Sequence, residues 1–183
     1  NGKIQPEMEV KISPDVSGEI TELTIKEGDW VEKGDLLLRI NPEIYAANLD
    51  RMKASLNNMK SNLSQQKAQL KDTELKHNRN TNLFNKKAIS SAEYETSQNN
   101  YEMAQLAVEA SQYSVKSSEA SLKEAQNNLN RTSIYAPISG TISRLNVEKG
   151  ERVVGTAQMT GTELLRIADL SLSLIHISEP TRR

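Results

Sequence analysis

Through the middle of the chain, apolar residues recur every seven positions. Leu49, Leu56, Leu63 and Leu70 form one row, continued through His77 to Phe84, with Met52 and Met59 three residues after leucines. Tyr94, Tyr101, Val108, Val115, Leu122 and Leu129 form a second. A seven-residue period held this long predicts two helices wound as a left-handed coiled coil. Between Glu43 and Asn130 there is no glycine or proline, and Ala, Gln, Lys, Glu and Leu supply good helix formers. Each helix should run about 40 residues, roughly 60 Å at 1.5 Å per residue. Asn41-Pro42-Glu43 reads as a helix start, with Asn41 as cap, Pro42 in the first turn and Glu43 at the positive end of the dipole.

The link Lys86-Lys87-Ala88-Ile89-Ser90 is too short for parallel helices, so the pair must be antiparallel. Ser90 or Ser91 should cap the second helix, with Glu93 completing a capping box from Ser90. Two registers compete. One sets Leu49 against Ala125, Met52 against Leu122, Met59 against Val115, Leu63 against Ser111 and Leu70 against Ala104, large facing small. The rival stacks Leu49 on Leu129 and Leu63 on Val115. Ser97, Ser111 and Ser118 sit where a strong dimer would carry leucine, so the seam is modestly apolar. The remaining faces are rich in Asn, Gln and Ser.

The flanks follow a different period. Pro14 to Ile40 reads PDVSGEITELTIKEGDWVEKGDLLLRI, and Pro137 to Gly155 reads PISGTISRLNVEKGERVVG, with LLRI returning at Leu164 to Ile167. Gly18 aligns with Gly140 and Gly28 with Gly150. After the first glycine, Ile20, Leu23 and Ile25 in one copy, and Ile142, Leu145 and Val147 in the other, alternate as half-buried strands do, and a glycine turn follows. Each copy is too short to bury a core alone, so the two should pair as halves of one small β-sandwich. The fold class is therefore α+β, a split sandwich with an inserted helical hairpin. Its parts are a first half-motif at 9–41, the hairpin at 42–131 with its tip about 84–91, and a second half-motif at 132–171. Residues 1–8 read as a returning strand.

Composition narrows the function. The chain has 183 residues, 36% hydrophobic, 4% aromatic and 26% charged, with net charge −1 and no cysteine. Few aromatics and a strongly negative mean hydropathy fit long exposed helices around little thick core. No Lys/Arg run, glycine-rich phosphate loop or aromatic stacking motif supports a nucleic-acid role. Disulfides, thiolate metal sites and a cysteine nucleophile are excluded. No stretch approaches the roughly 18 apolar residues of a membrane span. Asn1 opens the chain without a methionine, which predicts that an N-terminal part is missing. At the other end, Leu172 to Arg182, LSLIHISEPTR, looks like the translation of a sequencing-library adapter read in frame. Residues 172–183 are therefore expected to be a non-native tail, in which His176 is no ligand and Pro180 no structural stop.

A hairpin inserted between two half-motifs of a biotinyl-lipoyl-like domain resembles the periplasmic adaptors, or membrane fusion proteins, of tripartite efflux pumps. The resemblance runs from Gly2 to Ser171. It is nearest to the adaptors of macrolide-exporting ABC pumps and their resistance-nodulation-division relatives, through ISPDVSG, EGDWVEKGDLL, YAPISGTI and TELLRIADLS. It implies a periplasmic subunit of a Gram-negative bacterium, attached to the inner membrane through a missing part and assembled as a ring of six. It would bridge an inner-membrane ABC or RND transporter to a TolC-like outer-membrane channel. Arg79, Leu83 and Ser90, within RNTNLFNKKAIS, match the Arg-Leu-Ser motif such adaptors use to dock on the channel. Arginine would offer a planar fork of donors, leucine would fill a groove and serine would bond exposed backbone. On their own the three could equally be a solvated charge, a seam residue and a helix cap. In some relatives a glutamine precedes the glycine equivalent to Gly150 and lines a gate; here Lys149 stands there, which puts that role in doubt.

Catalytic, cofactor and metal sites are not expected. His77 has no second histidine or cysteine near it and reads as a structural seam residue. Tyr94 and Tyr101 read as seam aromatics. No nucleophile elbow, HExxH or P-loop organises the Ser, Glu and Lys residues. A biotin or lipoate carrier would need a displayed lysine on the turn between halves, where the hairpin sits instead. Two alternatives to efflux are an adaptor of a type I protein secretion system and a coiled-coil scaffold without transport.

Overall fold

The computed structural model describes residues 3–155 and 161–176, with residues 3–8 and 169–176 described by backbone alone. The elements are β1 (Lys3–Ile12), β2 (Gly18–Leu23), β3 (Trp30–Val31), β4 (Leu36–Ile40), α1 (Glu43–Asn85), α2 (Ser91–Asn130), β5 (Ser133–Tyr135), β6 (Gly140–Leu145), β7 (Arg152–Val153) and β8 (Leu165–His176). They form two compact units, Asn1–Ala46 with Asn127–Arg183, and Ala47–Gln126.

The first unit is the split sandwich, built from four-stranded sheets in the orders β1-β8-β6-β3 and β5-β4-β2-β7. Each half-motif lends its short strand to the other half's sheet. β3 pairs with β6, Val31 opposite Gly140, and β7 pairs with β2, Val153 opposite Gly18. The exchange is reciprocal bond for bond. Gly28 N donates to Ile142 O at 2.9 Å, and Gly150 N donates to Ile20 O at 2.9 Å. Ile142 N donates to Asp29 O at 3.0 Å, and Ile20 N to Glu151 O at 2.9 Å. Both halves carry an irregularity at the equivalent place, between Ile20 and Glu22 and between Ile142 and Arg144.

The core is equally shared. Val16, Ile20, Ile25, Val31, Leu37, Leu38 and Ile40 from the first half pack with Ala136, Ile142, Val147, Val153, Leu164, Leu165 and Ile167 from the second. Fully burying one such aliphatic side chain is worth about 1.5–3 kcal/mol, and neither half has enough of them to close a core alone.

β1 runs antiparallel to β8, from Lys3 opposite His176 to Ile12 opposite Leu165. The ladder therefore continues into the segment set aside above as a non-native tail, with Ser173 to His176 opposite Pro6 to Lys3. Extending an existing ladder requires only backbone hydrogen bonds and β-prone residues such as Leu174 and Ile175, whatever the segment's origin. Pro180 and the rest of 177–183 lie outside the described residues.

The second unit is the hairpin. Asn41 Oδ1 accepts from Glu43 N at 3.0 Å, capping α1 as its sequence implies. The first turn of α1 and the last of α2 cluster with the sandwich, and in the former Tyr45 packs on its core and donates its hydroxyl to Ser17 O at 2.7 Å. Along α1, Leu49, Met52, Leu56, Met59, Leu63, Gln66, Leu70, Thr73, His77 and Asn80 are among the residues turned from solvent, and they follow a three–four alternation. Along α2, Ser97, Val108, Val115 and Ala125 are the buried ones.

Candidate docking tip and half-motif turns

The tip is built by chain reversal over Lys86–Ser90. Lys87 takes φ 59°, and its N donates to Phe84 O at 2.8 Å while Ala88 N donates to Leu83 O at 2.9 Å, closing the end of α1. Ser90 Oγ accepts from Glu93 N at 3.2 Å, so Ser90 caps α2. Arg79 and Leu83, four residues apart, lie on one face of α1. Arg79 is exposed, Leu83 half-buried and Ser90 exposed. The arrangement offers a solvated guanidinium, an apolar side chain one turn nearer the tip, and a hydroxyl beyond the reversal.

Beneath the tip lies a group of rings. His77 is stacked on Tyr101, centroids 5.4 Å apart and planes within 5°, and tilted against Tyr94 at 5.6 Å. Phe84 stacks on Tyr94 at 4.7 Å. His77 Nδ1 lies 3.4 Å from Ser97 Oγ. With Tyr94 and Tyr101 at nearly equal distances on either side, His77 is centred on Ser97. That places the helices in the register that sets Leu70 against Ala104 and Leu63 against Ser111. Of the seam residues, Leu56, Val108 and Val115 are buried, and Leu49, Leu63, Leu70, Tyr101, Leu122 and Leu129 are half-buried.

The half-motif glycines fall into two equivalent pairs. Gly28 and Gly150 hold φ 93° and 89° in matching turns, each braced by an acidic side chain: Asp29 Oδ2 accepts from Lys26 N at 2.8 Å, and Glu151 Oε2 from Glu148 N at 3.0 Å. At Gly18 and Gly140 the constraint is room. A Cβ at Gly18 would stand 2.5 Å from Ile40 Cγ2, and one at Gly140 would stand 2.7 Å from Ala168 O. Lys33 and Lys149 are exposed on the turns.

One polar cluster has no sequence signal strong enough to find it. Arg166 of β8 bonds Glu163 and reaches Glu9 of β1 at 3.3 Å, while Ser143 of β6 donates to Glu9 at 3.1 Å. The Arg166 hydrogen bond holds the Glu163 carboxyl below its ordinary range and raises the guanidinium in return. Glu163 and Arg166 are close in sequence, but Glu9 and Ser143 arrive only through strand order. Among the described residues, no three His, Asp or Glu side chains converge as metal ligands, and no helix is long and apolar enough to cross a membrane.

The profile of the RND MFP, barrel-sandwich hybrid domain, matches residues 8–164. The chain belongs to this membrane fusion protein family. Curated relatives include the pyoverdine export membrane fusion protein PvdR of Pseudomonas putida, 39% identical over 172 residues, and the macrolide export protein MacA of Escherichia coli O157:H7, 28% identical over 174 residues. The match to PvdR covers 93% of this chain and 43% of PvdR; that to MacA covers 95% and 46%. This chain thus spans less than half the length of either relative. Its backbone superposes on the crystal structure of MacA from Actinobacillus actinomycetemcomitans with a TM-score of 0.89 at 30% identity, covering 95% of this chain and 53% of that one. A chimera of MacA carrying the MexA α-hairpin of Pseudomonas aeruginosa gives 0.57 at 30% identity, covering 97% and 54%. The membrane fusion protein fold accounts for both units, the sandwich as the barrel-sandwich hybrid and α1–α2 as the helical hairpin.

Proposed function

We propose that this domain is the middle of a periplasmic adaptor that bridges an inner-membrane ABC or RND transporter to a TolC-like outer-membrane channel in a Gram-negative efflux pump. Its role is mechanical rather than enzymatic: the transporter supplies energy, and the adaptor transmits shape and seals the path. Six copies form the ring, held at the inner membrane through parts of the protein outside this chain. The working division is 9–41 and 132–171 for the half-motifs and 42–131 for the hairpin, with 172–183 as a non-native tail.

The observation that carries this reading is the tip. Arg79 is exposed, Leu83 stands one turn away on the same face, and Ser90 caps α2 just across the reversal. A guanidinium free in solvent is suited to carbonyls or carboxylates at the end of another helical hairpin, and the apolar neighbour fits a groove beside them.

The test is Arg79→Asp in the full-length protein. Drug resistance and cross-linking to the channel should be lost at unchanged protein level, because charge reversal opposes whatever acceptor the guanidinium meets. Lys67→Asp, a mid-hairpin charge change on an exposed site, should leave both intact. Wild-type cross-linking in the Arg79 variant would refute docking through the tip.

A further inference from the structure

The outward faces of the hairpin are polar for most of their length, with an exception halfway along α2. Met103, Leu106 and Tyr113 are 67%, 60% and 63% exposed, and with the exposed Ala110 among them they follow a spacing of three, four and three. That spacing gathers them into one stripe on the back of the helix, the side turned away from α1. Large apolar side chains gathered on an exposed helix face mark a contact surface.

We propose that this stripe is covered by the back of α1 from a second copy of the chain, standing beside the first with its tip pointing the same way. The proposal rests on the ring assembly proposed above and names the two faces that meet in it. A closed ring holds its copies at one height. With His77 opposite Ser97, residues of α1 and α2 are level when their numbers sum to 174, and at equal height the same rule holds between α2 of one copy and α1 of the next. The row along the back of α1, Ala54, Ser61 and Ala68, is small and exposed. Leu106 then comes level with Ala68, Tyr113 with Ser61 and Ala120 with Ala54. Large side chains meet small ones over about 20 Å, which lets the two helices approach closely.

Charge agrees with this pairing. Helix α1 carries seven Lys and Arg against four Asp and Glu, a net of +3, whereas α2 carries two against six, a net of −4. Packing α1 on α2 of a neighbour therefore joins opposite signs, while two α2 backs would join like ones. In the rows that flank the contact, Lys123 falls beside Asp50, Glu124 beside Arg51 and Glu102 beside Lys71, each within one residue of level. All six are exposed, and no like charges face each other in those rows. Each copy offers the α2 stripe on one side and the α1 groove on the other, the head-to-tail type of contact that closes rings.

This chain has no cysteine, which suits disulfide mapping. In the full-length protein, Ala68→Cys on one copy and Leu106→Cys on another should bond under mild oxidation, and neither variant should dimerise alone. Both positions are exposed, so helicity should match the wild type. On that background Lys71→Glu or Glu102→Lys should each lower the yield of the bond several-fold, and the two together should restore it, a rescue that misfolding does not give. Absence of the rescue overturns the pairing. So does a bond between Leu106→Cys and Tyr113→Cys copies, which requires two α2 backs set antiparallel, or a bond of Leu106→Cys to Ser61→Cys in preference to Ala68→Cys. Native mass separates the interface from the assembly beneath it. A full-length ring in which positions 68 and 106 do not bond leaves the ring standing and overturns the interface, whereas a full-length protein that stays monomeric overturns both.

Discussion

The sandwich and the hairpin are made from one chain by opposite means. In the sandwich every sheet needs strands from both ends of the chain, and Ile20, Leu37, Leu38, Ile40, Ile142, Leu164, Leu165 and Ile167 are sealed from water. In the hairpin, two helices face each other along a single seam, and the best-covered side chains, Ala125 and Leu56, retain 3% and 6% exposure. Serines and amides fill much of the remaining seam. The contrast separates two properties. The sandwich draws its stability from a dense core closed across a long insertion, while the hairpin, thin and polar, depends on helix formation and a modestly apolar seam.

The largest expected effect breaks the contrast at its root. Removing 132–171 takes away β5, β6 and β7, the described part of β8 through Ser171, and half the core, so residues 10–40 should lose their strand signal and become protease-sensitive. Helical ellipticity from 43–130 should largely remain. A protease-resistant, strand-rich fragment 10–40 would show that the halves do not depend on each other.

Next in size is Leu63→Asp. It places an unpaired charge in the seam and should cost about 3 kcal/mol or more, separating the helices without melting the sandwich. Gln69→Asp, on the exposed side, should stay within about 0.5 kcal/mol. Equal losses of helicity on heating the two variants would show that the seam lies elsewhere.

The glycines sharpen the comparison within the sandwich. Gly140→Ala drives a Cβ toward the Ala168 carbonyl, which belongs to the β6–β8 ladder, so a cost of about 2–3 kcal/mol is expected in chemical denaturation. Gly28→Ala meets open space and has only its φ of 93° to overcome, at about 1 kcal/mol. Reversal of that order would mean that turn conformation, rather than strand proximity, limits the fold.

The smallest effect is acid dependence. Because Arg166 lowers the Glu163 carboxyl below its ordinary 4.5, the pair stabilises the sandwich above that value, and the contribution fades as pH falls through the lower folded-state value. Both groups are solvent-accessible, so the slope should be slight; Glu163→Gln should flatten it in melts taken across this range.

What the sequence disclosed follows from locality. Asn41 as cap, Ser90 as cap, the reversal at 86–90 and the seven-residue rows are short-range patterns, and so were readable. The matching of Gly18 with Gly140 and Gly28 with Gly150 was readable because both copies keep the same spacing. The exchange of β3 and β7 between sheets was not, since two-residue strands carry no period of their own. The register was left between two choices; the contact of His77 Nδ1 with Ser97 Oγ at 3.4 Å, which no sequence pattern announces, places it. The Arg166–Glu9–Ser143 cluster was hidden for the same reason as β3 and β7: its members meet through strand order.

The strands on either side of the helical insertion, β4 and β5, are hydrogen-bonded neighbours, with Leu38 opposite Ile134 and Arg39 opposite Ser133. The chain therefore leaves the sandwich and re-enters it at adjacent points, whatever lies between. Reach becomes a free variable in such a molecule. Adding or removing one seven-residue repeat from each helix changes the arm by about 10 Å while leaving the anchoring strands their partners, so the length of the arm can follow the distance to be spanned without any redesign of the base.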